Sequence, residues 1–320
     1  MIIDKQNKNV LVVGRAGMDL YAEPVGTPIE KAVKFSSQLG GSAANIAAGL
    51  SAQGLNVDLL SGISGDAIGK FVVNSCKKLG IGIHLLEIIP KVHNTLAVVD
   101  SVGEDTQAVI YRNKPADLFL DNEAVNRVNL NRYQFLIITG TALTKEPSRT
   151  AVLDLMKRGQ ENGIEIIFDI DYRDFTWESK ELAEEVLSRA VDFSSVLIGN
   201  EIEFDFMSKQ KNGGIKLATD FSKIGRRLSI YKMGANGLYY FLNQKKSFVN
   251  SFKVNAIKPT GAGDGFLAGF CSSLIKGDSL ENAILFGSAV GAIVVTRVGC
   301  SEAMPDEQQV EEFMENFKDS

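Results

Sequence analysis

The 320-residue sequence is poor in histidine, cysteine and tryptophan, with two, three and one of each. His84 and His93 are too few for a histidine-based metal centre, and neither lies in the motif of a hydrolytic nucleophile. Cys76, Cys271 and Cys300 are far apart and show no C-x-x-C spacing, which argues against a disulfide framework or a zinc ribbon. Any chemistry must therefore rest on carboxylates, lysine or arginine, backbone amides and a bound metal.

Long apolar runs and a surplus of positive charge are also missing. No stretch of about 18 uncharged apolar residues occurs, so no membrane-spanning helix is expected. The 34 Lys and Arg are outnumbered by 39 Asp and Glu, and the resulting net charge of −5 argues against a nucleic-acid partner. Because the first residues lack the apolar core of a signal peptide, we expect a cytoplasmic protein.

Short apolar segments alternate with amphipathic segments along most of the chain. Five segments have the composition of buried parallel strands, namely 10–13, 57–60, 135–138, 164–168 and 195–198. Helices are predicted at 43–53, 68–79, 148–160, 180–190, 263–275 and 280–296, and antiparallel strands at 228–233, 238–242 and 246–252. The alternation predicts βαβ units in a layered α/β fold, which we interpret as a single domain over 1–320.

Two segments do not follow this alternation. Residues 19–38 and 95–118 have strand-like patterns and no helix to cover a sheet. We interpret the regions 15–38 and 93–118 as a small β-sheet lid, placed to cover a ligand at the carboxyl ends of the main strands. A sheet of few strands leaves its edges exposed, so we expect a homodimer formed through the lid.

The segment 258–266, KPTGAGDGF, carries the strongest local signal. Its glycines precede an apolar helical run, and the free amides and dipole of a helix N-terminus favour a bound anion. Asp264 would repel a phosphate, but it can act as the base that takes a proton from an attacking hydroxyl. An N-cap role explains Asp264 nearly as well. The spacing is that of neither a Walker A loop nor a dinucleotide-binding fingerprint.

A second glycine motif, GGSAANIA at 40–47, places Gly40 and Gly41 before a helix with Asn45 in its first turn. A tight turn capped by Ser42 is the simpler interpretation of this motif alone. Together, however, the two motifs resemble those of the ribokinase-like (PfkB) carbohydrate kinases, and the resemblance covers essentially the whole chain. It implies a three-layer α/β sandwich with a mostly parallel central sheet and a small β-sheet lid.

The resemblance also implies roles for individual residues. Asp264 is expected to be the catalytic base, and the amides of Gly261, Ala262 and Gly263 to stabilise the transferred phosphoryl group. Sugar-binding positions are Asp19, Gly40, Gly41, Asn45 and Asp169. ATP-binding positions are Asn200, Lys232, Gly234, Gly237, Gly261 and Gly263, with Glu203 and Asn200 holding Mg²⁺ through water.

Within the family, the segments YRNKPADL at 111–118 and DIDYRDFTW at 169–177 fit best the members that phosphorylate a deoxy keto sugar acid in myo-inositol breakdown. Arg112 and Arg173 would then clamp the substrate carboxylate, although an ordinary ion pair explains each arginine equally well. A kinase of 2-keto-3-deoxygluconate or fructose, and a non-catalytic sugar or nucleotide sensor, are the alternatives.

Lys258 departs from the family pattern, in which an aspartate six positions before the base helps to bind potassium. A lysine ammonium offers donors and no lone pair, so it cannot coordinate a cation. We therefore expect that K⁺ is not required and that the ammonium of Lys258 replaces its charge. A lysine that points to solvent is the alternative.

Overall fold

The computed structural model describes residues 9–100 and 102–318, in which strands and helices alternate. The strands are β1 (Asn9–Val13), β2 (Gly17–Glu23), β3 (Lys34–Gly40), β4 (Asn56–Ser64), β5 (Leu86–Ile89), β6 (Thr95–Val99), β7 (Ala108–Tyr111), β8 (Phe135–Thr139), β9 (Glu165–Asp169), β10 (Val196–Asn200), β11 (Leu228–Lys232), β12 (Leu238–Leu242) and β13 (Lys245–Val249). The α-helices are α1 (Ser42–Ala52), α2 (Ala67–Lys78), α3 (Asn122–Asn126), α4 (Ser148–Glu161), α5 (Lys180–Phe193), α6 (Glu201–Ser208), α7 (Gly214–Phe221), α8 (Ala262–Lys276), α9 (Leu280–Val295) and α10 (Glu307–Lys318). The predicted α/β class is confirmed.

The chain forms two compact units, which we describe separately. The split unit consists of the described residues of Ile3–Asp117 and Phe252–Ser320, and the middle unit is Leu118–Ser251. A single kinase domain over residues 1–320 stays a prediction. No helix in the described ranges combines the length and the apolar character that crossing a membrane requires.

The middle unit is built on six consecutive strands. Strands β8 to β11 are parallel neighbours, and β12 and β13 extend this sheet in antiparallel pairing. The apolar strands are buried because helices α4 and α5 pack on β9. The predicted strands and the two predicted helices of this region are confirmed within a few residues, whereas α3, α6 and α7 were not predicted.

The split unit contains a parallel set of three strands and a separate small sheet. Strand β4 pairs in parallel with β1 and with β5, and α8 packs against both α1 and α9. The small sheet has the order β3-β2-β6-β7, with one parallel and two antiparallel pairs. It is the predicted lid, and its strands lie in the two predicted regions except for the end of β3, which reaches Gly40.

One face of the lid sheet is packed. Tyr21, Ala97 and Val99 form a buried apolar cluster on that face, with Ile110 and Val298 packed against it. The side chains alternate along each strand, so residues at the intervening positions lie on the opposite face. Asp19 shares the packed face with Tyr21, two positions away, and is thereby directed into the unit.

Candidate active site

The glycine loop of the split unit ends at the N-terminus of α8. Gly261 is the N-cap residue, with a φ of 85°, and no side chain of the described residues caps the helix there. A side chain at Gly261 would also be crowded, since a Cβ atom would lie 2.8 Å from Sγ of Cys300. Asp264 is the third residue of the helix, so the alternative N-cap role for it is wrong. The uncapped amides leave this end of the helix suited to an anion.

Asp264 is held by the second glycine motif. Nδ2 of Asn45 donates a hydrogen bond of 2.8 Å to Oδ2 of Asp264. Asn45 is 5% exposed, and its Oδ1 atom is buried without a hydrogen-bond partner among the described residues. The N-cap of α1 is Gly41, so the alternative in which Ser42 caps the helix is wrong. Asn45 thus orients the carboxylate and retains an acceptor, which suits a donor such as a ligand hydroxyl.

Asp19 is the next carboxylate of this unit. It lies so close to Gly40 that a Cβ atom at that glycine would overlap the carboxylate, which explains the need for glycine there. The hydroxyl of Tyr21 donates a 3.4 Å hydrogen bond to Oδ2 of Asp19. Burial raises the pKa of Asp19, while the positive charge of Arg15 and the Tyr21 hydrogen bond lower it. Sequence reasoning did not assign Arg15 a role, although it lies four positions before Asp19 in the sequence.

Lys258 is buried beneath the glycine loop. Its side chain is inaccessible, and Nζ donates to the carbonyls of Thr260 and Val294 at 2.6 and 3.2 Å. Sγ of Cys300 lies 4.0 Å away. The alternative in which Lys258 points to solvent is therefore wrong. Burial lowers the pKa of Lys258, whereas electrostatic interactions with Cys300 and Asp264 oppose this effect.

Arg112, a predicted carboxylate clamp, already has a carboxylate partner within the split unit. Its Nη1 and Nη2 atoms donate to Oδ1 and Oδ2 of Asp117 at 2.9 and 2.7 Å. Nη1 also donates to the hydroxyl of Thr95 at 2.9 Å. Both charged side chains are buried, with 6% and 0% exposure. Sequence reasoning missed Asp117, although it lies in the same quoted segment. Contact of Arg112 with a substrate stays a prediction.

The middle unit has its own polar cluster at the carboxyl ends of β9, β10 and β11. Asp169, Asn200 and Lys232 are the last residues of these strands. Parallel pairing aligns Asn200 with Lys232, and Nζ of Lys232 lies 3.6 Å from Oδ1 of Asp169. Gly234 and Gly237 follow β11, in the turn to β12, and both have positive φ. The topology therefore brings five predicted positions, Lys232 among them, to one edge of the sheet.

Glu203 joins this cluster through the start of α6. Oδ1 of Asn200 accepts from the amide of Glu203, and Oε2 of Glu203 accepts from the amide of Asn200, which forms a capping box. Burial and the nearby charge of Asp169 raise the pKa of Glu203 to about 7. The pKa of Asp169 is raised mainly by burial, and the charge of Lys232 opposes this shift.

Arg173, the second predicted clamp, also has an internal partner. Its Nη2 atom lies 3.0 Å from Oδ1 of Asp171, with side-chain exposures of 52% and 5%. The hydroxyl of Thr141 donates to Oδ2 of the same aspartate at 3.3 Å. Asp171 has a φ of 35°, an unusual conformation for an aspartate, and the sequence indicated no role for it.

The acidic residues of the middle unit suit an indirectly bound cation. Within the described ranges, no group of three or more His, Cys, Asp or Glu side chains could hold a metal directly. Magnesium keeps much of its water when bound, and a nearby cation would oppose the burial and the repulsion from Asp169 that raise the pKa of Glu203. The donor set therefore fits the predicted water-mediated role of Glu203 and Asn200.

A loop of helix-terminal amides beside an oriented carboxylate, together with an α/β fold and a lid, defines a phosphotransferase of the sugar kinase type. The family model of the pfkB family carbohydrate kinases matches residues 7–307. The chain belongs to this family, and it is a carbohydrate kinase.

Two curated relatives that match nearly the whole chain share one enzyme name. The chain is 32% identical over 312 residues to the 5-dehydro-2-deoxygluconokinase of Halalkalibacterium halodurans, covering 96% of this chain and 94% of the relative. It is 31% identical over 312 residues to the enzyme of the same name from Bacillus subtilis, covering 96% of each. The resemblance inferred from the motifs is confirmed.

Solved structures share the fold at lower identity. A fructokinase double mutant from Vibrio cholerae O395, solved with fructose, ADP and potassium ion, gives a TM-score of 0.84 at 22% identity, covering 95% of this chain and 97% of that one. An Escherichia coli protein assigned as a ribokinase II, solved with ATP and Mg²⁺, gives 0.86 at 21% identity, covering 96% and 99%. These similarities confirm the predicted ribokinase-like fold.

Proposed function

We propose that this kinase transfers the terminal phosphoryl group of ATP to the primary hydroxyl of a sugar acid, 5-dehydro-2-deoxy-D-gluconate. The observation that carries the proposal is the pairing of Asn45 with Asp264. A carboxylate is oriented at the N-terminus of α8 while the other amide atom, Oδ1 of Asn45, remains available for a hydroxyl.

Asp264 takes the proton of the attacking hydroxyl in the proposed mechanism. Asn45 holds the carboxylate through Nδ2 and accepts from a sugar hydroxyl through Oδ1. Asp19, beside Gly40 and Gly41, accepts from a further hydroxyl. The amides that follow Gly261 stabilise the negative charge of the transferring phosphoryl group, because they are aimed at the place where it develops.

The middle-unit residues are proposed to serve the nucleotide. Lys232, Gly234 and Gly237 bind ATP, and Asn200 and Glu203 hold the hydration shell of Mg²⁺. Bound magnesium neutralises charge on the phosphates. The burial of Glu203 keeps this carboxylate in a fixed orientation, which the capping box with Asn200 reinforces.

The choice of substrate rests on the relatives and on the predicted motifs. The curated relatives at 31–32% identity carry the name 5-dehydro-2-deoxygluconokinase. The solved fructokinase was obtained with fructose and ADP. We therefore propose the sugar acid of myo-inositol breakdown as substrate, while 2-keto-3-deoxygluconate and fructose are the competing substrates.

The test is ATP turnover with these three compounds at matched concentrations, measured as ADP release and as sugar phosphate by mass spectrometry. We expect the highest kcat/KM for 5-dehydro-2-deoxy-D-gluconate. A higher kcat/KM for either competitor would overturn the substrate assignment, while the assignment as a sugar kinase would stand. Binding without turnover of any sugar would instead indicate a non-catalytic sensor.

We also propose that Lys258 makes the enzyme independent of potassium. Its ammonium bonds to two main-chain carbonyls, those of Thr260 beside the loop and Val294 in the last turn of α9. Such carbonyls are typical cation ligands, and the C-terminus of a helix favours positive charge. The lysine therefore supplies a fixed charge under the glycine loop without a bound ion.

Exchange of K⁺ for Na⁺ or tetramethylammonium at constant ionic strength tests this proposal. We expect unchanged kcat and KM in the unmodified enzyme. Lys258→Met should lower kcat at least about tenfold, because the loop carbonyls lose their partner. Lys253→Met, at an exposed position, is the matched control. Strong activation of the unmodified enzyme by K⁺ would contradict the proposal.

The lid is proposed to form a homodimer. Its unpacked face carries two cross-strand rows of half-buried or exposed apolar side chains, Met18, Leu96 and Tyr111 in one and Leu20, Val98 and Val109 in the other. Tyr111 is 61% and Val109 is 44% exposed. A contiguous apolar face of this kind is typical of an interface, and a second copy offers the matching face.

Sedimentation equilibrium tests the dimer. We expect a dimer for the unmodified protein and a monomer for Tyr111→Glu, because the glutamate places charge in the apolar rows. Ile224→Glu, at a residue 57% exposed in the middle unit, is the matched control and should stay dimeric. A monomeric unmodified protein at tens of micromolar would contradict the proposal.

A further inference from the structure

Arg15 differs from Arg112 and Arg173 because it forms no salt bridge with a described carboxylate. Its Nε atom is buried without a hydrogen-bond partner among the described residues. Arg112 is bound to Asp117 and Arg173 to Asp171. An arginine cannot lose its charge in a protein, so a buried N–H without an acceptor is unfavourable until an acceptor arrives.

The main chain around Arg15 is fixed by three hydrogen bonds. The carbonyl of Arg15 accepts from the amide of Ala44 in the first turn of α1, at 3.2 Å. The carbonyl of Ala16 accepts from Nδ2 of Asn94 at 3.0 Å, and the amide of Gly14 donates to Leu60 at 3.2 Å. The side chain therefore leaves a rigid turn between β1 and β2, where little freedom must be lost on binding.

The surroundings of Arg15 are those of the proposed sugar site. Its charge lowers the pKa of Asp19, so the two groups are within electrostatic reach, yet no salt bridge joins these two described side chains. The same helix that bonds to the Arg15 carbonyl carries Asn45, with its free Oδ1. A ligand placed here meets two acceptors, Asp19 and Asn45, and one cation whose Nε–H has no acceptor.

We infer that Arg15 binds the carboxylate of the sugar acid and makes the enzyme select an acid over a neutral sugar. This inference rests on the proposed sugar-acid kinase function. Hydroxyls of the ligand satisfy Asp19 and Asn45, and the carboxylate satisfies the guanidinium, whose fork geometry matches it. A neutral sugar brings no carboxylate to Arg15, so it gains less free energy on binding than the acid does.

The test compares 5-dehydro-2-deoxy-D-gluconate with its amide, which keeps the hydroxyls and lacks the charge. In Arg15→Gln we expect KM for the acid to rise about 10- to 100-fold, KM for the amide to change less than about threefold, and kcat to persist. Arg15→Lys should recover part of the preference, since lysine keeps the charge and loses the fork. Arg226→Gln, at an exposed arginine, is the matched control.

The outcomes separate this inference from the proposed function. An unmodified enzyme that does not phosphorylate the acid would end the proposed function. If the unmodified enzyme prefers the acid and Arg15→Gln keeps that preference, the proposed role of Arg15 is overturned and the proposed function stands. An equal rise in KM for the acid and for the amide would show that Arg15 is only structural, which also overturns its proposed role. If Arg15→Gln fails to fold, a selective KM increase in Arg15→Lys supports the inference and an unchanged KM overturns it.

Discussion

The two units of this kinase hold their charged groups in different ways. Around the glycine loop of the split unit, neutral dipoles hold single charges: the amide of Asn45 holds Asp264, and two carbonyls hold Lys258. In the middle unit, Asp169 and Glu203 are buried near each other, with Lys232 beside them, and their pKa values are raised. Dipoles orient a charge without neutralising it, which suits a catalytic base. Two neighbouring buried carboxylates, by contrast, favour the binding of a cation.

The arginine–aspartate pairs of the two units differ in how far they are buried. Arg112 and Asp117 in the split unit are buried, while Arg173 in the middle unit is half exposed beside its buried partner Asp171. Removing Arg112 leaves a fully buried carboxylate without its cation. The guanidinium of Arg173 is screened by water, so its ion pair contributes less. The same sequence feature, an arginine near an aspartate, therefore contributes differently to the free energy of unfolding in each unit.

The largest expected effect concerns the base of the split unit. Asp264→Asn keeps the contact with Asn45 through its remaining oxygen but cannot accept a proton, so kcat should fall about 10²- to 10⁴-fold. Calorimetry should show ATP and sugar affinities near those of the unmodified enzyme. Asp154→Asn, at an exposed position on α4, is the control. A nearly normal kcat in Asp264→Asn would remove the proposed base.

The second prediction tests the contrast between the ion pairs by urea denaturation. Arg112→Met should lower the free energy of unfolding by roughly 3–5 kcal/mol, because Asp117 is left buried and alone. Arg173→Met should cost at most about 1 kcal/mol. Adding Asp117→Leu to Arg112→Met should recover much of the stability. Equal losses in the two single variants would mean that the burial of the pairs does not govern their energies.

The smallest expected effect is the pH dependence that Glu203 contributes. Its pKa is about 7 in the folded chain and 4.5 ordinarily, so between these values the folded state binds more protons and stability falls as pH rises. Glu203→Gln keeps a capping-box side chain and should reduce the fall between pH 5 and 8 by roughly 1–3 kcal/mol. Urea midpoints at four pH values measure it.

The control for this experiment is Glu201→Gln, since Glu201 is exposed in the same helical turn. Its curve should run parallel to that of the unmodified protein. If the Glu203→Gln curve is also parallel, the carboxyl of Glu203 titrates normally, and the contrast between the two units loses its electrostatic basis.

Local patterns were sufficient for most of the architecture. Apolar runs such as 135–138 predicted the buried strands, and strand-like segments without covering helices predicted the lid, because periodicity and helix absence are local properties. Helices α3, α6 and α7 were missed since each has eight residues or fewer and little room for a periodic pattern. Helix α10 was not predicted either. The paired glycine motifs indicated the family, which the match over residues 7–307 confirms.

The sequence by itself determined the fold class, the glycine loop and the identity of Asp264 as a candidate base, because each depends on residues close together in the chain. Only the tertiary structure decided which partner each charge has. The partner of Asp264 is Asn45, 219 positions away, and Lys258 reaches Val294, 36 positions away. Folding brings such groups together and removes water from them, and the energy of a buried charge depends on that neighbourhood rather than on sequence spacing.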